Sequence, residues 1–197
     1  MLIFYDLQDE KLISLLKDGA VGVVPSDTLY GLMCQAGNQE AVERLYKLKS
    51  RKHKPGTLIA ASIDQLVELG IPRRYLTAVE QYWPNSLSVV IPTSPALAYL
   101  DRGLMSLPMR VPADKNLQQF LEKTGPLQTT SANAPGEPTA NTVAEAQAYF
   151  GDSVDFYVDG GDLSGNAPST IIRIVDDAVE VLREGAVKIN EKGEVEQ

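Results

Sequence analysis

The sequence predicts an α/β fold: a single domain in which helices pack on a mixed sheet of parallel and antiparallel strands. Three observations carry that expectation. Short β-rich runs alternate with helix-periodic segments early in the 197-residue chain. The last third is dense in strand-like runs, and no internal repeat or low-complexity linker divides the whole. Alternation favours parallel pairing, successive strands favour antiparallel pairing, and a mixed sheet accommodates both.

In chain order, Leu12, Ile13, Leu15 and Leu16 form a first helical face, stopped by Gly19. Residues 20–25 read as a buried strand, being short, β-branched and ended by proline. Ala41, Val42, Leu45, Tyr46 and Leu48 recur with helical period. Residues 57–61 and 87–91 are further strands. Leu117, Phe120 and Leu121 mark a helix closed by Gly125, and Thr142 with Glu145 gives a capping-box pattern for a helix ending near Gly151. Residues 154–158, Thr170–Val175 and 179–182 read as late strands. The polar tail, 190–197, is expected to fray. The domain is expected to occupy 1–197, with its core at about 19–188.

Composition narrows the function. With 26 acidic against 18 basic side chains the formal net charge is -8, which argues against general affinity for nucleic acid or anionic membrane. Cys34 is the single cysteine, so no internal disulfide forms and a reducing, cytoplasmic setting is expected. The start shows no basic, apolar secretory pattern, and no apolar run reaches membrane-spanning length. Neither a Gly-x-x-x-x-Gly-Lys-Ser/Thr phosphate loop nor a Gly-x-Gly-x-x-Gly fingerprint is present. One His and one Cys build no ordinary zinc site.

Several segments could carry chemistry. Pro25-Ser26-Asp27-Thr28-Leu29-Tyr30-Gly31 follows a strand, where open α/β sheets place ligands, although the same residues also make turns. Lys47, Lys49, Arg51, Lys52, His53 and Lys54 form a basic run that suits a polyanionic ligand or, equally, a solvated helix end. Arg110, between Met109 and Val111-Pro112, needs a carboxylate if buried, from a ligand or an internal ion pair. Thr129-Thr130-Ser131-Ala132-Asn133, with Thr139 beyond, offers donors for phosphate oxygens or a capped turn. Gly160-Gly161, Ser169-Thr170 and Arg183-Glu184-Gly185 complete the set.

Together these segments, from about Gly19 to Lys188, resemble the YrdC-like family of threonylcarbamoyl-AMP synthases. The marks are the Pro-Ser-Asp-Thr-Leu-Tyr-Gly loop, Lys49-Ser50-Arg51, Arg110-Val111-Pro112, Ser131-Ala132-Asn133, Ser169-Thr170 and Leu182-Arg183-Glu184-Gly185. The resemblance implies a twisted mixed sheet with an open concave groove. It implies that L-threonine, bicarbonate and ATP give threonylcarbamoyl-AMP and pyrophosphate, and that a partner protein complex passes the group to an adenosine of tRNA. Thr28, Arg110, Thr129 and Ser169 are then expected to hold threonine. Lys49, Arg51, Ser131 and Asn133 are expected to be catalytic and to cradle ATP, with Ser106, Thr139 and Arg183. Mg²⁺ would arrive with the nucleotide rather than in a protein cage. Contact with tRNA through a local basic groove stays open.

The chain departs from the family pattern at Ser26, Pro55, Ala60, Asn85-Ser86 (where Gly-Pro is usual) and Pro135. Two rival readings stand beside the synthase. One is a sibling enzyme that takes its carbamoyl group from carbamoyl phosphate. The other is a non-catalytic module for structured RNA, which the net charge disfavours.

Overall fold

The computed structural model describes residues 1–50, 54–176 and 178–196. Among these residues the strands are β1 (Leu2–Phe4), β2 (Gly22–Pro25), β3 (Tyr30–Gln35), β4 (Thr57–Ile59), β5 (Leu87–Pro92), β6 (Ser106–Arg110), β7 (Leu127–Ser131), β8 (Phe156–Val158), β9 (Thr170–Val175) and β10 (Ala178–Arg183). The helices are α1 (Glu10–Lys17), α2 (Gln39–Leu48), α3 (Ile63–Glu68), α4 (Arg73–Thr77), α5 (Ala98–Asp101), α6 (Lys115–Thr124) and α7 (Val143–Phe150). None is long and apolar enough to cross a membrane.

The strands join one sheet in the order β1-β8-β2-β3-β7-β4-β6-β5-β9-β10. Pairing is parallel for β1–β8, β8–β2, β4–β6 and β5–β9, and antiparallel elsewhere. The mixed α/β sheet expected from the sequence is therefore present.

Alternation along each strand sorts the core into two layers. Val23, Leu32, Leu58, Met109 and Val89 face the layer that holds Val42 and Leu45 of α2 and Ala146 of α7. Val24, Met33, Ile59 and Leu127 face the opposite way, onto Leu12 and Leu16 of α1 and Phe120 and Leu121 of α6. Both latter helices begin where an aspartate caps them. Asp9 accepts from the Lys11 and Leu12 N–H groups and Asp114 from that of Leu117.

The α1–α6 layer packs over β2, β3, β7 and β4. Further along the same face, β6 and β9 present Pro108, Arg110 and Ile171 to a cavity rather than to a helix. The sheet's own residues thus form a floor for the site.

Several details differ from expectation. β3 begins at Tyr30, so the loop after β2 is only residues 26–29. β1 adds an edge strand before the expected core. Glu145 accepts from the Asn141 N–H at 2.8 Å, while Thr142 caps the Glu145 N–H at 3.3 Å, so the reciprocal capping box is displaced by one residue. The tail is docked rather than frayed: Ile189 bridges Val195, and the Tyr82 hydroxyl donates to the Gly193 carbonyl at 2.9 Å.

Candidate active site

A cavity of about 260 Å³ opens where the β2–β3 turn, β4, β6, β7 and the start of β9 converge. Thr28, Arg110, Thr129, Ser131, Ser169 and Arg183, all singled out from the sequence, line it. They come from five separate stretches of chain.

The turn is built by its own hydroxyls. Ser26 Oγ accepts from the N–H groups of Thr28 and Leu29 at 3.2 and 3.3 Å and donates to the Leu29 carbonyl at 2.8 Å. This closes the short connection and leaves Thr28 beside Arg110, whose Nη2 lies 3.4 Å from Thr28 Oγ1. Two glycines let backbone and hydroxyls crowd together on the floor. A Cβ at Gly31 would stand 2.4 Å from Thr129 Oγ1, and one at Gly56 would stand 2.2 Å from the Thr129 carbonyl oxygen.

Arg110 meets the internal alternative raised by the sequence. Its Nη2 pairs with Asp27 Oδ1 at 2.5 Å, and the two side chains are 5% and 6% exposed. Arg183 donates through Nε and Nη2 to the Ser169 carbonyl at 3.0 and 2.6 Å and through Nη2 to the Ser169 hydroxyl at 3.0 Å. Ser169 is also 3.2 Å from the Ser88 hydroxyl. Loss of hydration, and then repulsion from Arg110, holds the Arg183 guanidinium below its usual pKa. The two guanidinium groups therefore act on one another, and the Asp27 carboxylate pairs with Arg110 while Arg183 is held by Ser169. Such a space attracts an anion.

Two buried polar atoms of lining residues, Arg110 Nε and Thr130 Oγ1, make no hydrogen bond among the described residues. Buried donors without partners are uncommon in folded chains, and a bound ligand is one way they are satisfied.

Beside the cavity, Lys49 and Asn133 meet at Ser131. The buried Lys49 ammonium donates to the Ser131 carbonyl at 2.9 Å, to Asn133 Oδ1 at 2.6 Å and to the Asn133 carbonyl. Ser131 Oγ donates to the same Oδ1 at 2.7 Å. Three of the four residues grouped as catalytic are thus in contact. Arg51, the fourth, lies outside the described residues with Lys52 and His53.

Two expected nucleotide residues are not brought to the cavity lining. Ser106 opposes Pro92 at the far end of β6, roughly 13 Å along the strand from Arg110 at about 3.3 Å per residue. It shares Arg110's face but not its place. Thr139 precedes Ala140, whose N–H donates to the Ala132 carbonyl at 2.8 Å, so it lies behind the Ser131–Asn133 bend.

The sequence reading gave Ser86, Gly56, Tyr46 and Asp27 no individual role in the site. Tyr46, on α2, accepts from the Gly56 N–H at 3.0 Å and from Gln128 Nε2 at 3.0 Å, which ties the start of β4 to the helix carrying Lys49. Its polar tip on a buried helix face was the available signal. Cys34 is fully buried and burial pushes its thiol pKa up, which leaves it unreactive at neutral pH.

The family model for Sua5/YciO/YrdC, described as "Telomere recombination", matches residues 14–185. The chain is 34% identical over 167 residues to a protein named threonylcarbamoyl-AMP synthase from Pseudoalteromonas translucida, covering 81% of this chain and 89% of that one. It is 31% identical to the threonylcarbamoyl-AMP synthase of Bacillus subtilis, covering 92% of this chain but only 54% of that protein. Its fold matches the crystal structure of P. abyssi Sua5 complexed with L-threonine with a TM-score of 0.80 at 26% identity. That match covers 94% of this chain, which spans 57% of the P. abyssi chain.

Proposed function

The chain belongs to the Sua5/YciO/YrdC family, and from that premise we propose that it is a threonylcarbamoyl-AMP synthase, a nucleotidyltransferase serving N6-threonylcarbamoyladenosine formation in tRNA. The single observation that carries this reading is the meeting of Thr28, Arg110, Thr129, Ser131, Ser169 and Arg183 in one cavity beside the Lys49–Asn133 contact. An amino acid and a triphosphate are both anionic at one end, and the cavity gathers cations and hydroxyls for both.

In this reading the amine of L-threonine takes up CO2 from bicarbonate to form a carbamate. A carbamate oxygen attacks the α-phosphorus of ATP, and pyrophosphate leaves with the electron pair of the broken P–O bond. No side chain needs to act as nucleophile, because the carbamate is one; alignment and charge neutralisation do the work. Thr28, Arg110, Thr129 and Ser169 hold threonine, its carboxylate on Arg110. Ser131, Asn133 and Lys49 shape the phosphate side, with Arg51 and Arg183 adding charge.

Mg²⁺ in this reading rides on the phosphates. No group of three or more His, Cys, Asp or Glu gathers to hold a metal among the described residues, and Asp27 is already engaged by Arg110 and Ser86. No step is routed through a protein-bound ion. The product would pass to a transfer complex acting on tRNA in the cytoplasm.

Pyrophosphate release tests the proposal. It should require L-threonine, bicarbonate and ATP together. Release at full rate without threonine, or with carbamoyl phosphate in place of threonine and bicarbonate, would contradict it.

A further inference from the structure

Three segments distant in sequence meet end to end behind the cavity: Ser86 before β5, Asp27 in the β2–β3 turn, and Arg110 at the end of β6. The Ser86 hydroxyl donates to Asp27 Oδ2 at 2.8 Å. The other carboxylate oxygen, Oδ1, receives Arg110 Nη2 at 2.5 Å. Both oxygens of the buried carboxylate are therefore committed to protein donors. Arg110 lines the cavity, whereas Asp27 and Ser86 do not.

The guanidinium is divided by this arrangement. Its Nη2 is fixed by Asp27, while Nε is buried with no partner among the described residues. A guanidinium is a rigid planar fork, so fixing one nitrogen sets the direction of the others. A planar carboxylate is the ligand that such a fork meets best.

We propose that Ser86 and Asp27 are positioning residues that aim the Nε edge of Arg110 at the carboxylate of the amino-acid substrate. The inference rests on the reading of the cavity as an amino-acid and nucleotide site, and it deepens that reading. Ser86 acts only through Asp27. Asp27 is not a general base here, because both of its oxygens already accept from the protein and it is walled off from the substrate space by Arg110.

The test uses the full chain in two measurements: pyrophosphate release with threonine and ATP varied separately, and calorimetric titration of L-threonine without turnover. Ser86→Ala should raise the threonine KM about three- to tenfold, the net effect of one ordinary hydrogen bond, with the ATP KM unmoved. Asp27→Asn should raise it further, and Ser86→Thr should restore it. In the Asp27→Asn background, Ser86→Ala should add far less than it does alone, since it has lost the partner it acts through. Equal rises in both KM values, full multiplication of the two effects, or a lowered melting temperature with unchanged kinetics would each overturn the proposal. If Asp27→Asn fails to fold, Ser86→Ala and Ser86→Thr decide alone. A wild-type protein inert towards threonine in both measurements sinks the underlying function as well. A wild type that turns over, with variants whose threonine KM does not move, sinks this inference only.

Discussion

Lys49 Nζ and Asn133 Oδ1 stand 2.6 Å apart, joining the end of α2 to the bend after β7 across 84 residues of chain. The same ammonium holds the Ser131 carbonyl, so the helix end serves as a strut beneath the bend. Lys49→Met keeps the length of the side chain and removes its donors. The Ser131 carbonyl keeps the Asn133 N–H at 3.1 Å, whereas the part-buried Asn133 carbonyl loses this donor, at a cost of about 1–3 kcal/mol. The variant should melt several degrees lower and lose at least about tenfold in turnover, because the bend also sets Ser131. Melting curves and pyrophosphate release check both effects.

Arg110 has two tasks, and one substitution removes both. Arg110→Ala strands the buried Asp27 carboxylate, and breaking a buried pair by removing one partner costs about 3–5 kcal/mol. It should also raise the threonine requirement more than the ATP requirement. Denaturant unfolding and separate KM determinations read the two tasks independently. A threonine KM unchanged in a folded Arg110→Ala protein would remove Arg110 from the amino-acid site.

Gly56 permits a contact that no other residue does. A Cβ there would lie 2.2 Å from the Thr129 carbonyl and 2.6 Å from Gln128 Nε2, and backbone in a central strand cannot retreat. Gly56→Ala should cost about 1–3 kcal/mol as an overpacked site does, and lower turnover by displacing Thr129 from the cavity floor. Urea unfolding with parallel kinetics is the check. A fully stable and fully active variant would show that β4 and β7 separate more easily than the packing indicates.

Asp155 links stability to pH. Burial alone would raise its pKa, but the hydrogen bond from Arg44, the Val21 N–H and the Arg44 charge outweigh burial and hold the carboxyl below its usual value. A depressed folded-state pKa stabilises the fold above the unfolded value of about 4, and that contribution disappears as pH falls through the folded one. The pair is roughly one-third to two-fifths exposed, so its screened worth at neutral pH is about 0.5–1 kcal/mol. Asp155→Asn should be less stable than the parent at pH 7, and the gap should close as acid protonates the parent. Urea midpoints measured from pH 7 down to about 2 follow the gap; a constant difference would discount the pair.

Helices α1, α2, α6 and α7 were legible because each carries an apolar period with a capping side chain beside it, whereas the short α3, α4 and α5 were not read from the sequence. β3 was not. Tyr-Gly-Leu-Met-Cys-Gln has no β-branched residue, and it becomes a strand because β2 and β7 pair with it on both sides. The cavity's hydroxyls and arginines could be named from the sequence because their order and spacing follow a family pattern. What local sequence could not state was the partner of Arg110, since Asp27 is 83 residues away and only the sheet order brings them together. Ser106 shows the converse. It lies four residues from Arg110 on the same face, yet the rise of the strand carries it away from the cavity. The placement of Lys49 was expected among the phosphate groups, and the structure adds its clamp on the Ser131–Asn133 bend.

Mass spectrometry of the product formed with ¹³C-labelled bicarbonate tests the central claim most directly. The account predicts a threonine adenylate that contains the labelled carbon as a carbamoyl group and forms only when ATP and L-threonine are both present. An adenylate without the label, or no threonine-dependent adenylate from folded protein supplied with Mg²⁺, would contradict it.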